Sequence, residues 1–155
     1  MQTFLPLPDF EASARCLDRL RLGKQRGEVE VLLHALMGAR GYRNHPATLM
    51  WDGFALALVA YGEAVCNEWI NRGYRDNTLP KIRSIARELV ADGAKMELPP
   101  WFGNDRFHAA HRAALYRKSP IMYPKWAHDV CDPCCPGCNY YWPTHTADFG
   151  KQVQR

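Results

Sequence analysis

Apolar positions recur along this chain at the three- and four-residue spacing of helices that bury one face. In residues 24–37, Val29, Leu32, Leu33, Leu36 and Met37 fall on one stripe, and Gly38 and Gly41 follow as stop signals. Residues 10–20 read as an earlier helix, with Asp9 after Pro8 as its N-cap. Pro46 opens a long segment reaching Arg72, in which Leu49, Phe54, Leu58, Val59, Tyr61, Val65 and Trp69 supply a largely buried face. Residues 79–90 carry Ile82, Ile85, Ala86 and Leu89 on a further helix. Pro99, Pro100 and Trp101 form a rigid connector, and Asn104 or Asp105 caps a helix running to Lys118. From Pro120 onward the chain is irregular, rich in Pro, Cys and Tyr. No alternating strand pattern and no internal repeat is found. The expected fold is all-α: a single compact helical domain over residues 1–126, with an irregular Cys/Pro/Tyr-rich C-terminal segment, residues 127–155, packed on it.

Composition narrows the class. At 155 residues the chain suits one domain, and 47% apolar with 23% charged residues is ordinary globular usage, which excludes dominant disorder. No run approaches the roughly 18 apolar residues of a membrane helix. The start lacks the plan of a signal peptide. A soluble, cytoplasmic monomer with no membrane partner is the expectation.

Charge is unevenly distributed along the chain. The net charge is +4, but residues 15–26 hold five basic side chains against Asp18 alone. Residues 106–128 hold five more (Arg106, Arg112, Arg117, Lys118 and Lys125) and no acid. The rest of the chain is acidic. Two basic segments brought together by the fold would face a polyanion such as nucleic acid; two solvated helix faces are the plainer alternative. Tyr116, Tyr123, Trp126, Tyr140, Tyr141 and Trp142 follow the second segment, and flat rings among cations suit a groove that stacks bases.

Candidate chemistry lies in four places. Glu28 sits at the edge of the apolar stripe, on one strip with Arg21 and Lys24 if the helix runs through Gly23. There it reads as the acid or base of a DNA-facing site, or as half of an ordinary Lys24–Glu28 pair, worth about 0.3–0.5 kcal/mol. In Gly41-Tyr42-Arg43-Asn44-His45-Pro46, His45 is held extended before proline, and Asn44 and His45 offer donors and acceptors near a helix N-terminus, a natural anion site or simply a cap. His108 and His111 lie three apart beside Arg112; contact with phosphate, a solvated face and a metal pair are all open. The fourth is the run Cys131-x-x-Cys134 and Cys135-x-x-Cys138, with His128 and His145 as spare ligands. It fits a structural zinc, reduced or disulfide-forming thiols, or an iron–sulfur cluster. Cys16 and Cys66 read as small core residues.

The strings LDRLRLGKQRGEVEVLLHALMGARGYRNHP and FHAAHRAALYRKSPIMYPKW resemble the pyrimidine-dimer DNA glycosylases, the phage endonuclease V family and its bacterial relatives. The resemblance spans residues 1–126, through the Glu-bearing helix, the GY-x-NHP element and the late Arg-x-x-Pro-x-x-Tyr stretch. It implies an all-α enzyme that needs no metal or organic cofactor, excises a base from double-stranded DNA bearing a lesion or modified base, and nicks the strand as an AP lyase. The implied nucleophile is the N-terminal α-amine, assisted by a glutamate that matches Glu28. A model α-amine titrates at about 7.7–8 against about 10.4 for lysine, so part of it is neutral and nucleophilic near pH 7. Gln2 is large, which predicts that Met1 stays, so Glu28, Met1 and Gln2 form the implied catalytic set. Arg21, Lys24, Arg26, Arg43, Asn44, His45, His111, Arg112, Arg117, Lys118 and Lys125 are the expected DNA contacts, Arg26 and Arg112 on phosphates near the lesion, and Tyr123 with Trp126 the aromatic substrate-binding end. Two alternatives stand beside this reading: a catalytically silent DNA-binding module with a zinc-stabilised tail, and a structural helical domain whose tail is an interaction element.

Overall fold

A computed structural model describes residues 1–130 and 142–143. Asp9 caps the first helix, α1 (Phe10–Cys16), by accepting from the Ala12 N–H at 2.6 Å. That helix stops four residues earlier than its apolar pattern suggests, because Asp18 is itself an N-cap. Its side chain accepts the N–H groups of Leu20 and Arg21 and opens α2 (Arg19–Leu36). Thus α2 begins well before Lys24 and passes straight through Gly23 and Gly27.

The long segment after Pro46 is two helices. His45 caps the short α3 (Pro46–Leu49), and the chain then turns through Asp52 and Gly53, the latter at φ +82°, before α4 (Ala55–Asn71). The turn needs that left-handed glycine, and it buries Trp51 while leaving Leu49 exposed. Asp76 closes the next turn by accepting from the Thr78 and Leu79 N–H groups ahead of α5 (Leu79–Ala91). Asn104 caps α6 (Asp105–Lys118), and a 3-10 helix over Pro124–Asp129 follows.

The protein is all-α; no strand occurs among the described residues. The most buried helix, α4, packs against α1, α2 and α5, while α6 packs against the 3-10 helix. A Cβ on Gly62 of α4 would stand 2.7 Å from Val29 of α2 and 2.9 Å from Ile82 of α5, so glycine sets this approach. Trp51, Tyr61, Trp101 and Phe107 fill the centre, with Trp51 edge-on to Trp101 at 4.9 Å. Cys66 is buried and Cys16 half-buried against the core. No helix among the described residues is long and apolar enough to cross a membrane.

Candidate active site at the N-terminus

Residues 1–5 lie outside any helix or sheet, and Gln2 to Leu5 are buried. Buried backbone groups require partners, and here side chains supply them. Phe4 N–H donates to Gln25 Oε1 at 2.9 Å, and Gln25 Nε2 donates to Gln2 O at 2.8 Å. The Tyr61 hydroxyl lies 2.8 Å from both Phe4 O and Gln25 Oε1, its one proton shared between them. Thr3 accepts from Trp51 Nε1 at 3.0 Å. Two histidines of α6 grip Leu5: its N–H donates to His111 Nδ1 at 2.9 Å, and its carbonyl lies 2.8 Å from His108 Nδ1. His108 Nε2 accepts from the Gly103 N–H, so Nδ1 carries the proton that reaches Leu5 O.

Both histidines must therefore be neutral. Burial lowers the basicity of each, His111 to about 3 with His108 beside it adding to the effect. An unfolded histidine titrates near 6.5. The unfolded chain binds more protons below that value, so the stability these residues give is whole above about pH 6.5 and is lost as pH falls toward 3. His111 alone should cost about 2 kcal/mol of stability by pH 5. Urea unfolding at pH 7 and pH 5 checks this, and an unchanged midpoint would contradict it.

This N-terminal segment delivers Met1 and Gln2 to α2. Glu28 Oε2 accepts from the Gln2 N–H at 3.2 Å and from Gln25 Nε2 at 2.9 Å, while Oε1 faces Lys24 Nζ at 3.6 Å. One carboxylate oxygen is thus anchored and the other is turned to a cation. They border a cleft of about 350 Å³ lined by Met1, Gln2, Phe4, Leu20, Arg21, Lys24, Gln25, Glu28 and Lys118. Arg21 is oriented by Asp18 at 2.6 Å and by the Tyr123 ring beneath it. Burial alone would raise the Asp18 carboxyl, but hydrogen bonds from Tyr123 and Arg21 outweigh it and hold it below the ordinary range. Burial, with Asp18 alongside, pushes the Tyr123 phenol up to about 12. His45 stands within electrostatic reach of this site. Its Nδ1 accepts from the Ala47 N–H at 3.0 Å, which leaves the proton on Nε2. Burial lowers its basicity, the terminal ammonium lowers it further, and Glu28 opposes them.

The basic segments converge only in part. Arg21, Lys24 and Lys118 share the cleft. Arg117 and Lys125 are exposed, and Lys125 Nζ lies 4.7 Å from the Trp126 ring centre. Arg43 and Asn44 are exposed too, but on a separate depression of about 200 Å³. Five expectations of DNA contact meet a different arrangement. His111 is fully buried and spent on Leu5. Arg112 forms a two-pronged pair with Asp129, 2.9 Å on each arm, and donates to Pro6 O. Tyr123 and Trp126 are buried, stacked on each other at 5.4 Å, so neither ring offers a free face to a base. Arg26 lies over Trp69 and pairs with the buried Asp76 at 2.5 Å. Arg26→Ala should therefore act on the fold: about 3 kcal/mol lost, since it strands a buried carboxylate, with the salt dependence of DNA affinity unaltered. A lowered salt slope at unchanged melting temperature would contradict that placement.

Gln25 was not legible as a site residue, although one signal existed: it is the polar member of an otherwise apolar face, Leu22, Val29 and Leu32. Cys131, Cys134, Cys135, Cys138 and His145 lie outside the described residues, so the zinc expectation rests on sequence alone. His128 is exposed beside Asp129. Among the described residues no three His, Cys, Asp or Glu side chains group as metal ligands.

A family model described as pyrimidine dimer DNA glycosylase matches residues 1–81, which carry the buried N-terminal segment, Gln25, Glu28 and His45. No curated protein and no solved structure matches the chain.

Proposed function

Because the chain belongs to the pyrimidine dimer DNA glycosylase family, we propose that it excises a damaged pyrimidine through its N-terminal amine and then cleaves the strand as an AP lyase. The observation that carries this reading is the Gln2 N–H resting 3.2 Å from Glu28 Oε2, in a cleft bordered by Arg21, Lys24 and Lys118. A terminus at Met1 then stands one residue from the carboxylate, inside a cationic recess suited to a phosphodiester chain.

The neutral amine attacks C1′ of the lesion nucleotide. The glycosidic bond breaks, and the base departs with its electron pair and takes up a proton. Opening of the sugar ring leaves an imine between enzyme and deoxyribose. Loss of a C2′ proton then expels the 3′ phosphate by β-elimination, and water releases the sugar remnant and restores the amine. Glu28 suits two duties here. Its charge stabilises the cationic sugar, and Oε1, which accepts neither backbone nor amide donor, takes and returns protons. Lys24 and Arg21 hold flanking phosphates, and the target nucleotide leaves the duplex stack to reach the amine, at a cost of a few kcal/mol.

Borohydride reduces an imine to a stable amine, so it tests the step directly. Duplexes carrying a pyrimidine dimer or an abasic site should give a covalent adduct with the protein and, without borohydride, a nicked strand. Salt-sensitive binding with neither adduct nor nick would mean a silent DNA-binding module instead.

A further inference from the structure

Three large apolar side chains stand in solvent on or just beyond the two helices, α2 and α6, that contribute cations to this cleft: Leu20 is 77% exposed, Ile121 90% and Met122 57%. Single exposed apolar residues are unremarkable on any surface. These three differ in where they stand and how they are mounted.

Leu20 lines the cleft itself, and so does Lys118, three residues before Ile121. Ile121 is the tip of a tight turn that joins α6 to the 3-10 helix. Ser119 O accepts from the N–H groups of both Met122 and Tyr123 at 3.1 Å, and Pro120 fixes the backbone ahead of the tip. The turn is also tied across to α2. The Tyr123 hydroxyl donates to the Asp18 carboxylate and accepts from the Asp18 N–H at 2.9 Å. Asp18 in turn caps the helix end that bears Leu20 and Arg21. A hydrogen-bonded mount therefore ties the turn that bears Ile121 to the helix end that bears Leu20. Arg117, Lys118 and Lys125 flank the tip, with no acidic residue between positions 106 and 128.

We propose that Ile121, backed by Met122 and Leu20, is an apolar wedge that enters the duplex base stack beside the nucleotide presented to the cleft. The flanking cations hold the phosphates on either side, and the side chain replaces the stacking that the displaced nucleotide gives up. Apolar wedges of this kind kink the duplex at the step they enter. Rigidity matters to the device, because a tip that had to be ordered on binding would lose part of its gain to entropy. The inference rests on DNA being the substrate of the cleft, but not on the amine chemistry.

The test uses the full chain carrying Glu28→Gln, so that bound DNA stays intact, with short end-labelled duplexes either fully paired or containing one mismatch. Bending is read by energy transfer between the ends, and affinity by titration. Ile121→Ser should remove most of the bend and lower the preference for mismatched over paired duplex by about tenfold or more. Paired-duplex affinity, its salt slope and the melting temperature should hold. Ile121→Leu should retain both properties. Unchanged bending and preference in Ile121→Ser would overturn the proposal, and so would an equal loss of affinity for both duplexes. The same would follow if the substitution weakened binding to anionic lipid vesicles and left DNA binding alone. Borohydride trapping with unsubstituted protein is scored separately: no adduct, with Ile121-dependent bending intact, refutes the amine chemistry alone.

Discussion

Glu28→Gln should lower base excision by about 10²–10⁴-fold while leaving duplex affinity within a few-fold of the parent. The substitution keeps the shape of the side chain. The retained carbonyl oxygen still accepts from the Gln2 N–H and Gln25 Nε2, the two donors that now hold Oε2. What disappears is the charge and the proton acceptor at the cleft face. The lost pairing with Lys24, a 3.6 Å contact to a largely exposed ammonium, is too weakly coupled to matter to the fold. Stability should therefore stay level, which separates this outcome from unfolding. Single-turnover excision on dimer-containing duplex, beside a binding titration, makes the measurement. Excision within tenfold of the parent would remove Glu28 from the chemistry.

Gln25→Ala should have the largest effect on stability, about 3–5 kcal/mol. One amide joins four groups. Its oxygen accepts from Phe4 N–H and lies against the Tyr61 hydroxyl, and its nitrogen donates to Gln2 O and Glu28 Oε2. Truncation leaves unpaired a buried N–H and a buried carbonyl of the N-terminal segment, each costing about 1–3 kcal/mol, and leaves a void as well. It also frees the segment that sets the distance from the terminus to Glu28. Borohydride trapping should then fall further than the loss of folded protein accounts for, under conditions where the variant remains folded. A urea midpoint equal to that of the parent would contradict the central place given to Gln25.

Helix α6 was legible at both ends, because Asn104 is a cap three residues ahead of Phe107 and the basic run Arg117-Lys118 closes the last turn. Helix α2 was legible as an amphipathic element but not at its start. Gly23 and Gly27 argue against a helix, and Asp18 looks like one more residue of α1 until its side chain is seen capping. Glu28 could be singled out from its place on the strip with Arg21 and Lys24, a local property. Gln25 could not, and His108 and His111 could be picked out but not given their role, because the partners of all three are backbone groups of an N-terminal segment up to 106 residues away. No periodicity encodes that a buried segment outside helix and sheet will be completed by side chains. The buried Tyr123–Trp126 stack failed for a related reason: aromatic rings among cations look the same in sequence whether they face DNA or each other.

The proposed chemistry depends on one covalent bond, and locating that bond is its decisive test. Protein reduced with borohydride on abasic duplex, digested and mapped by mass, should carry the deoxyribose remnant on the terminal α-amine of Met1. A remnant on Lys24 or Lys118, the two lysines of the cleft, or no remnant at all, would contradict it.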